Sequence, residues 1–322
     1  MDASDSTRTP VTFASHDGHS TCHGYLWWQE DPLAAEEGSV RPAGVVQLVH
    51  GMSEHIERYD DFARFLVGQG YLVAGHDHIG HGKSSPREQW GVMPLKNGRE
   101  CLVEDVHSLR RLVEGIVPAS TPYFIFGHSM GSFVLRCYLG EHADGLAGAI
   151  VCGTGTVAGS ASVAGRSLAR LMARMRGADY KSKLLHNMAE GAYAKEIPDR
   201  LTDLDWLSYN RDNVKAYLAD EACGFPFGAS GYATLTDLTA TCCNPSWPAR
   251  YPADLPLLFI AGDGDPVGAF GKGVRKAVDQ AKLAGCNDVT CIIYDHMRHE
   301  ILNEDERQKV YDDVLGWLEV KR

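Results

Sequence analysis

The sequence predicts an α/β fold with a mostly parallel central sheet, helices on both faces of the sheet and an inserted helical cap. Over most of the 322 residues, short apolar runs typical of buried strands alternate with amphipathic helical patterns. Strands buried on both faces give such continuous apolar runs. The alternation stops between residues 154 and 252, which are mostly helical and loop-like in pattern. We therefore expect a core from residues 1–153 and 253–322, with residues 154–252 as the cap.

The elements of the core follow in a regular order. A hairpin at residues 11–14 and 22–28, turning at Asp17 and Gly18, opens the chain and a loop follows at residues 31–43. The predicted strands after this loop are residues 45–49, 71–74, 123–126, 147–152, 257–261 and 289–294. The predicted helices are residues 59–67, 104–116, 132–139, 271–283 and 304–320.

Composition excludes several classes of protein. The formal net charge is −11, and no long basic run is present, which argues against a nucleic-acid partner. The nine cysteines form no C-x-x-C pair, so we expect free buried thiols in a reducing compartment. The first ten residues carry charges and no apolar stretch, unlike a secretory signal. These features predict a cytoplasmic protein; they leave the oligomeric state open.

The strongest chemical signal is Gly127-His128-Ser129-Met130-Gly131, which fits the G-x-S-x-G pattern of a nucleophile elbow. The pattern alone is common, but here an apolar strand precedes it and an amphipathic helix follows it. Glycine at both ends allows a tight turn that projects the Ser129 side chain. Ser129 is therefore the candidate nucleophile.

A serine nucleophile needs a base and an acid that orients the base. In a strand–elbow–helix architecture these follow the serine in the order acid, then histidine. Asp263 and Asp265 both follow the strand at 257–261, and either could be the acid. His296 and His299 both follow the strand at 289–294. The position of His299 just before the last helix favours it as the base.

Two backbone N–H groups must stabilise the oxyanion of the tetrahedral intermediate. One belongs to Met130, the residue after the nucleophile. We assign the second to Met52, in the loop that follows the strand at 45–49. Because these donors belong to the main chain, the side chains there can vary.

A histidine-rich stretch offers a rival reading. His76, His78 and His81 lie within six residues and nearly match a metal-binding motif that would require Asp where Gly80 stands. The simpler reading is a loop beside the oxyanion residues.

The first helix of the cap shows two opposed faces. Leu168, Leu171, Met172 and Met175 share one face, and Arg166, Arg170 and Arg174 form a stripe on the other. Such a helix could dock on the core with its basic face in solvent. It could also lie on a membrane surface and roof a lipid site.

Four segments together resemble the monoglyceride lipase and lysophospholipase branch of the α/β-hydrolases, which are serine aminopeptidase S33-like hydrolases. They are residues 45–84 with HGMSEH and HDHIGHGKS, 126–132 (FGHSMGS), 262–268 (GDGDPVG) and 297–304 (MRHEILNE). The resemblance covers residues 45–155 and 255–320, and little of the cap. It implies an α/β-hydrolase fold, with Ser129 as nucleophile, Asp265 as acid and His299 as base. It also implies oxyanion N–H groups at Met52 and Met130, and neither metal nor organic cofactor.

The activity implied is that of a serine hydrolase, a carboxylic ester hydrolase that cleaves monoacylglycerol-like lipids through an acyl-enzyme. We expect an apolar channel under the cap and transient contact of the cap with a membrane surface. Candidate substrate-binding residues are His50, Gly51, Leu168, Leu171 and Met172. One alternative is a lysophospholipase, or a general carboxylesterase or amidase, with the same triad. Another is a non-catalytic binding protein of the same fold.

Overall fold

The computed structural model describes residues 7–35 and 39–322. Residues 1–6 of the predicted core and 36–38 of the predicted loop lie outside this range. The strands of the described chain are β1 (Thr7–Ala14), β2 (Thr21–Trp28), β3 (Gly44–Val49), β4 (Tyr71–His76), β5 (Tyr123–His128), β6 (Gly148–Cys152), β7 (Leu257–Gly262) and β8 (Val289–Tyr294). Its α-helices are α1 (Asp60–Gly68), α2 (Gly98–Glu114), α3 (Met130–His142), α4 (Gly159–Arg176), α5 (Lys183–Ala189), α6 (Arg211–Ala219), α7 (Ala229–Cys242), α8 (Lys272–Leu283) and α9 (Arg307–Lys321).

The strands form one sheet in the order β1-β2-β4-β3-β5-β6-β7-β8. The pairs β1–β2 and β2–β4 are antiparallel, and the other five pairs are parallel. Their carboxyl ends therefore meet at one edge, where ligands bind in open α/β sheets. The predicted fold class is confirmed.

Alternating residues of the strands face opposite layers of helices. On β3, Val45 and Val49 belong to one apolar cluster, together with side chains of α2, α3 and α8. Val46 and Leu48 belong to the other, together with side chains of α1 and α9. Both faces are thus covered, as the continuous apolar runs predicted.

Two helices begin earlier than the sequence pattern indicates. Helix α2 begins at Gly98 rather than at residue 104, and α3 begins at Met130 rather than at 132. A Cβ at Gly98 would lie 2.1 Å from Oγ1 of Thr234 on α7. The glycine that resembles a helix breaker in the sequence is therefore needed for close packing of two helices.

Helices α4–α7 lie between β6 and β7, in the segment predicted as the cap. Helix α4 packs against α7 through small buried residues, namely Ser162, Gly165, Ala169 and Ala173. Small side chains at this spacing let two helices approach closely. Our assignment of the packing face to the large apolar residues was therefore wrong in part. Leu171 and Met175 are 53% and 73% exposed, while Leu168 and Met172 flank the contact half-buried.

The predicted basic stripe of α4 is also corrected. Arg166 and Arg170 pair with Asp237 of α7 at 2.6 and 3.3 Å. Two of the three arginines thus help to hold α4 and α7 together instead of facing only solvent, while Arg174 is exposed. None of the helices in the described part of the chain is long and apolar enough to cross a membrane.

The cysteines agree with the expectation from their spacing. All nine lie in the described chain as free thiols, and eight of them are buried.

Four histidines form a buried cluster behind the end of β3. The ring of His78 lies 4.3 Å from that of His50 and 5.4 Å from that of His76, and His81 lies 5.1 Å from His50. Within the described residues, neither ring nitrogen of His76 or His78 has a hydrogen-bond partner. The side chains of the described chain whose ligand atoms converge on a possible metal position do not include these histidines. Their arrangement supports the simpler reading, a packed loop beside the oxyanion residues.

The histidine cluster makes the stability of the fold depend on pH. Burial lowers the pKa of His50, His76 and His78 well below the usual range, and lowers that of His81 to about 4. The unfolded chain therefore binds more protons than the folded chain below pH 6.5, the ordinary pKa of histidine. The contribution of neutral histidines to stability is full above that pH and is lost as the pH falls toward 4.

We expect the free energy of unfolding, measured by urea denaturation, to fall between pH 7 and pH 5. The phenyl ring of the variant His76→Phe fits beside Phe13 and needs no hydrogen bond. In this variant the slope of the free energy of unfolding against pH should be smaller by the equivalent of about one bound proton. An unchanged pH dependence in His76→Phe would contradict the assignment of this effect to the cluster.

Candidate active site

The backbone at Ser129 is held in a strained conformation between β5 and α3. Ser129 has φ 53° and ψ −121°, which residues with a side chain rarely adopt. Its N–H donates to the carbonyl of Cys152 at 3.0 Å. Strain of this kind persists where the surroundings over-determine it, and it projects the serine from the carboxyl edge of the sheet.

The two glycines of the elbow are fixed by close backbone approach. A Cβ at Gly127 would lie 2.5 Å from the carbonyl oxygen of Gly131, and a Cβ at Gly131 would lie 2.1 Å from that of Val49. Helix α3 therefore packs directly against the end of β3. This contact sets Ser129 beside the loop that follows β3.

Asp265 and His299 form a buried pair at the same edge of the sheet. Nδ1 of His299 lies 3.0 Å from Oδ2 of Asp265, and the two side chains are 2% and 0% exposed. The other carboxylate oxygen of Asp265 accepts from the N–H of Val267 at 2.8 Å. With Nδ1–H donating to the carboxylate, Nε2 of His299 is left as a proton acceptor. This atom has no hydrogen-bond partner within the described residues.

The structure separates the alternative acid and base from this pair. Asp263 is exposed. His296 is exposed as well and stacks on Tyr209 at a ring separation of 4.2 Å. Of the candidate acids and bases, His299 alone lines the cavity that also contains Ser129 in its wall. The geometry therefore favours Asp265 and His299.

The loop after β3 passes next to Ser129, the candidate nucleophile. A Cβ at Gly51 would lie 3.0 Å from Cβ of Ser129, so only glycine lets the backbone come this close. Met52 follows directly and lines the cavity, as does Met130 at the start of α3. The N–H of Met130 belongs to the first turn of a helix, where backbone donors lack partners inside the helix. This arrangement can supply two main-chain donors near Ser129. We refer to residues 50–55 as the oxyanion loop, because they include Met52, whose N–H is the predicted second oxyanion donor.

A buried network of charged side chains joins this loop to the segment that contains His299. Glu54 accepts hydrogen bonds from Gly51 N–H at 2.6 Å, from Tyr59 Oη at 2.9 Å and from Arg58 at 2.7 Å. Arg58 also binds both carboxylate oxygens of Glu300 at 2.7 Å, and Glu300 follows His299 directly. The network thus fixes the oxyanion loop and the candidate base relative to each other.

The charges of this network stabilise one another. Burial disfavours the ionised form of Glu54, but the hydrogen bond of His128 and the charge of Arg58 outweigh it, so the pKa of Glu54 lies well below its usual range. Burial likewise opposes ionisation of Glu300, and Arg58 lowers the pKa of that carboxyl. Nδ1 of His128 lies 3.0 Å from Oη of Tyr59 and 3.4 Å from Oε1 of Glu54, and its Nε2 lies 3.2 Å from the carbonyl oxygen of His299. Its hydrogen bond to Glu54 raises the pKa of His128 despite burial.

The cavity in front of Ser129 has a volume of about 750 Å³. Its wall near Ser129 includes His299 and Trp206, whose ring centre lies 5.2 Å from that of His299. Its further wall comes from α4, α5 and α7 and is mostly small or apolar. The cap residues of this further wall include Ala161, Gly165, Leu185, Met188, Ala189, Leu235 and Thr236.

The predicted substrate-binding residues do not line this cavity. Leu171 points to solvent, and Leu168 and Met172 pack on the apolar cluster beside α4. His50 is fully buried behind the oxyanion loop. Gly51 lets the backbone approach Ser129 closely, but it is not part of the cavity wall. None of the five predicted residues therefore belongs to the wall of this cavity. On α4 the wall consists of the small residues Ala161, Ser162 and Gly165 instead of Leu168, Leu171 and Met172.

Sequence reasoning also missed residues that support the site. The pairing of Arg58 with Glu300 joins positions 242 residues apart, and no local pattern indicates it. Trp206 and Tyr193 contact the site from cap segments with no periodic signal. The glutamate of HGMSEH is the one visible hint, since a carboxylate so close to the oxyanion loop requires a partner.

Known proteins share this fold and much of this sequence. Residues 40–306 match the family model described as "Serine aminopeptidase, S33". A monoacylglycerol lipase of Mycolicibacterium smegmatis is 32% identical over 282 residues, covering 86% of this chain and 88% of that protein. The human monoglyceride lipase is 32% identical over 110 residues, 34% of each chain.

Among solved structures, a thermostable carboxyl esterase of Bacillus coagulans, determined in complex with glycerol, superposes with a TM-score of 0.86. It is 28% identical, and the match covers 98% of both chains. The matched region of the family model contains the elbow, the Asp265–His299 pair and the oxyanion loop. The chain belongs to the serine aminopeptidase S33 family of α/β-hydrolases, with monoglyceride lipases among its relatives.

Proposed function

We propose that this protein hydrolyses esters of monoacylglycerol-like lipids, with Ser129 as nucleophile, His299 as general base and Asp265 as the acid that orients the base. Membership of the family shows that the chain is a carboxylic ester hydrolase. The observation that carries the proposal is the free Nε2 of the buried Asp265–His299 pair, which shares a mostly apolar cavity with the strained Ser129.

The reaction follows from the roles of these groups. Nε2 of His299 takes the proton of Ser129 as Oγ attacks the ester carbonyl, and Asp265 stabilises the imidazolium. The negative oxygen of the tetrahedral intermediate accepts hydrogen bonds from the N–H groups of Met52 and Met130. The C–O bond then breaks, and His299 returns its proton to the departing alcohol. His299 then takes a proton from a water molecule as its oxygen attacks the acyl carbonyl. The bond from the acyl carbon to Oγ of Ser129 breaks, His299 returns the proton to Oγ, and the fatty acid leaves.

The shape of the cavity supports a lipid substrate. A volume of about 750 Å³ is in the range of pockets that enclose a small molecule of drug size or larger. The acyl chain lies, in this proposal, along the small and apolar residues of α4 and α7. The name of the mycobacterial relative, a monoacylglycerol lipase, supports the same substrate class.

The exposed surface of the cap supports transient contact with a membrane. Leu171 and Met175 of α4 and Leu184 and Met188 of α5 are each more than half exposed. Met188 also lines the cavity, so at this residue the outer surface of the cap adjoins the proposed binding site. A lipid could pass from a membrane to the cavity along this surface.

Ser129→Ala should remove ester hydrolysis while leaving the fold intact. Loss of the nucleophile should lower kcat by about 10⁴-fold or more, whereas the free energy of unfolding should change by less than about 0.5 kcal/mol. The test is hydrolysis of monoacylglycerols of graded chain length, with lysophosphatidylcholine and a soluble ester in the same panel. Retained turnover in Ser129→Ala would overturn the mechanism, and a preference for the phospholipid would change the substrate class.

His299→Ala should lower kcat by about 10⁴-fold, because the nucleophile loses its base. His296→Ala is the matched control from the same loop, and it should stay within about twofold of the parent, since exposed side chains outside the site contribute little. A larger loss in His296→Ala than in His299→Ala would show that the base has been misassigned.

Ala161→Phe should shorten the preferred acyl chain. Ala161 lines the part of the cavity formed by α4, and an aromatic ring there would fill space that the chain end needs. We expect kcat/KM for long-chain monoacylglycerols to fall by about tenfold, with short-chain esters little affected, because the lost contacts are apolar methylenes. An equal loss for both chain lengths would place the acyl chain elsewhere.

A further inference from the structure

A cluster of three different metal-ligand types lies where the cap meets the oxyanion loop. A ring nitrogen of His55, a carboxylate oxygen of Asp220 and Sγ of Cys223 all lie within 4.8 Å of one another. His55 ends the HGMSEH segment, while Asp220 and Cys223 follow α6 in the cap. The cluster is separate from the Ser129 cavity, whose wall includes none of these three residues.

The geometry points to a Zn²⁺ site formed by His55, Asp220 and Cys223, which fastens the cap to the oxyanion loop and slows the enzyme. Zn²⁺ prefers nitrogen, sulfur and carboxylate oxygen in a tetrahedral arrangement, and sites with three protein ligands keep one position for water. The chemical class of the ligand is therefore a divalent cation that accepts thiolate and imidazole.

The present distances are close to those that a metal requires. Tetrahedral bonds of about 2.0–2.3 Å place ligand atoms roughly 3.3–3.8 Å apart. Nε2 of His55 and Oδ2 of Asp220 now lie 2.8 Å apart and would separate slightly. The thiol of Cys223, within 4.8 Å of both, would approach slightly.

The surroundings hold the ligands in place. Oδ1 of Asp220 accepts from the N–H of Ala222 at 2.8 Å, which leaves Oδ2 available. The N–H of Cys223 donates to the carbonyl of Asp220 at 3.0 Å, so the two cap ligands share one turn. Hydrogen bonds to ligands of this kind orient them for a metal.

Access and charge also suit a cation. The side chain of Asp220 is 39% exposed, whereas that of His55 is 13% exposed, so the site opens to solvent on the Asp220 side. Burial and the nearby carboxylates, which include Glu54 and Asp220, raise the pKa of the Cys223 thiol despite the charge of Arg58, so a metal must displace the thiol proton. Binding replaces the thiol proton by the metal and releases that proton to solvent.

A metal here would act on the oxyanion loop. Ser53, two residues before His55, is already tied to the cap: Gly224 N–H and Tyr217 Oη donate to its carbonyl at 2.9 and 2.8 Å. A shift of His55 toward Cys223 would be transmitted along this short loop to the N–H of Met52. Misplacement of catalytic groups by about 1 Å can cost about 100-fold in rate. This inhibition rests on the proposed hydrolase function, whereas binding does not.

The described chain offers a control cluster of similar size. Glu104, Glu141 and His142 also bring three ligand atoms within 4.8 Å of one another, but they include no sulfur. In addition, Arg99 already binds Glu141 at 2.6 Å. A sulfur-dependent signal can therefore separate the two clusters.

The test is titration of the full chain with Co²⁺ and Zn²⁺. Co²⁺ should give a thiolate-to-cobalt absorption band that Zn²⁺ displaces, and a competing chromogenic chelator should report the affinity for Zn²⁺. In Cys223→Ser the band should disappear, and affinity should fall by more than about 100-fold, beyond the 10- to 100-fold typical of an outer partner. Asp220→Asn, at a partly exposed position, should weaken affinity while the band persists at higher Co²⁺.

Two control variants and an activity measurement complete the experiment. Cys291→Ser, at the one partly buried cysteine, and His142→Gln should keep both band and affinity. Absence of the band in the parent, or its loss in Cys291→Ser, would overturn the site. Zn²⁺ should lower ester hydrolysis at least about tenfold in the parent and not in Cys223→Ser, each compared with its own metal-free rate. Binding without inhibition would overturn the effect on the oxyanion loop and leave the proposed hydrolase function untouched.

Discussion

The backbone conformation of Ser129 is the constraint on which the site depends. A φ of 53° is unfavourable for serine, and it persists because β5 ends and α3 begins within one residue. Gly127 and Gly131 have no room for a side chain, so α3 rests against the carbonyl groups at the end of β3. This one contact leaves Ser129 accessible and the N–H of Met130 free, and it brings the oxyanion loop close to Ser129.

The second constraint is the ion pair network that surrounds Arg58. Its guanidinium joins Glu54, which holds the N–H of Gly51, to Glu300, which is adjacent to His299. It also meets Asn213 of the cap. Removing one partner from such a buried set leaves an uncompensated charge, which is strongly destabilising. The oxyanion loop, the candidate base and the cap are therefore positioned by the same side chain, although they lie far apart along the chain.

Much of the fold could be predicted from the sequence, because buried parallel strands have a distinctive apolar pattern and the elbow requires glycine at fixed positions. The choice between Asp263 and Asp265, or His296 and His299, could not be made from spacing alone, since both members of each pair follow the same strand. The cap was predicted poorly: its packing face is made of Gly165 and Ala169, whereas periodicity arguments give weight to large side chains such as Leu171. Contacts such as Arg58–Glu300 depend on the folded chain, and nothing local in the sequence indicates them.

The most direct test of the account is to label the full chain with a fluorophosphonate and locate the adduct by peptide mass spectrometry. Such probes react with a serine that a neighbouring base has activated. The account predicts one covalent adduct, on Ser129, formed only while His299 and Asp265 are intact. An adduct on another serine, or none on a protein shown to be folded, would contradict it.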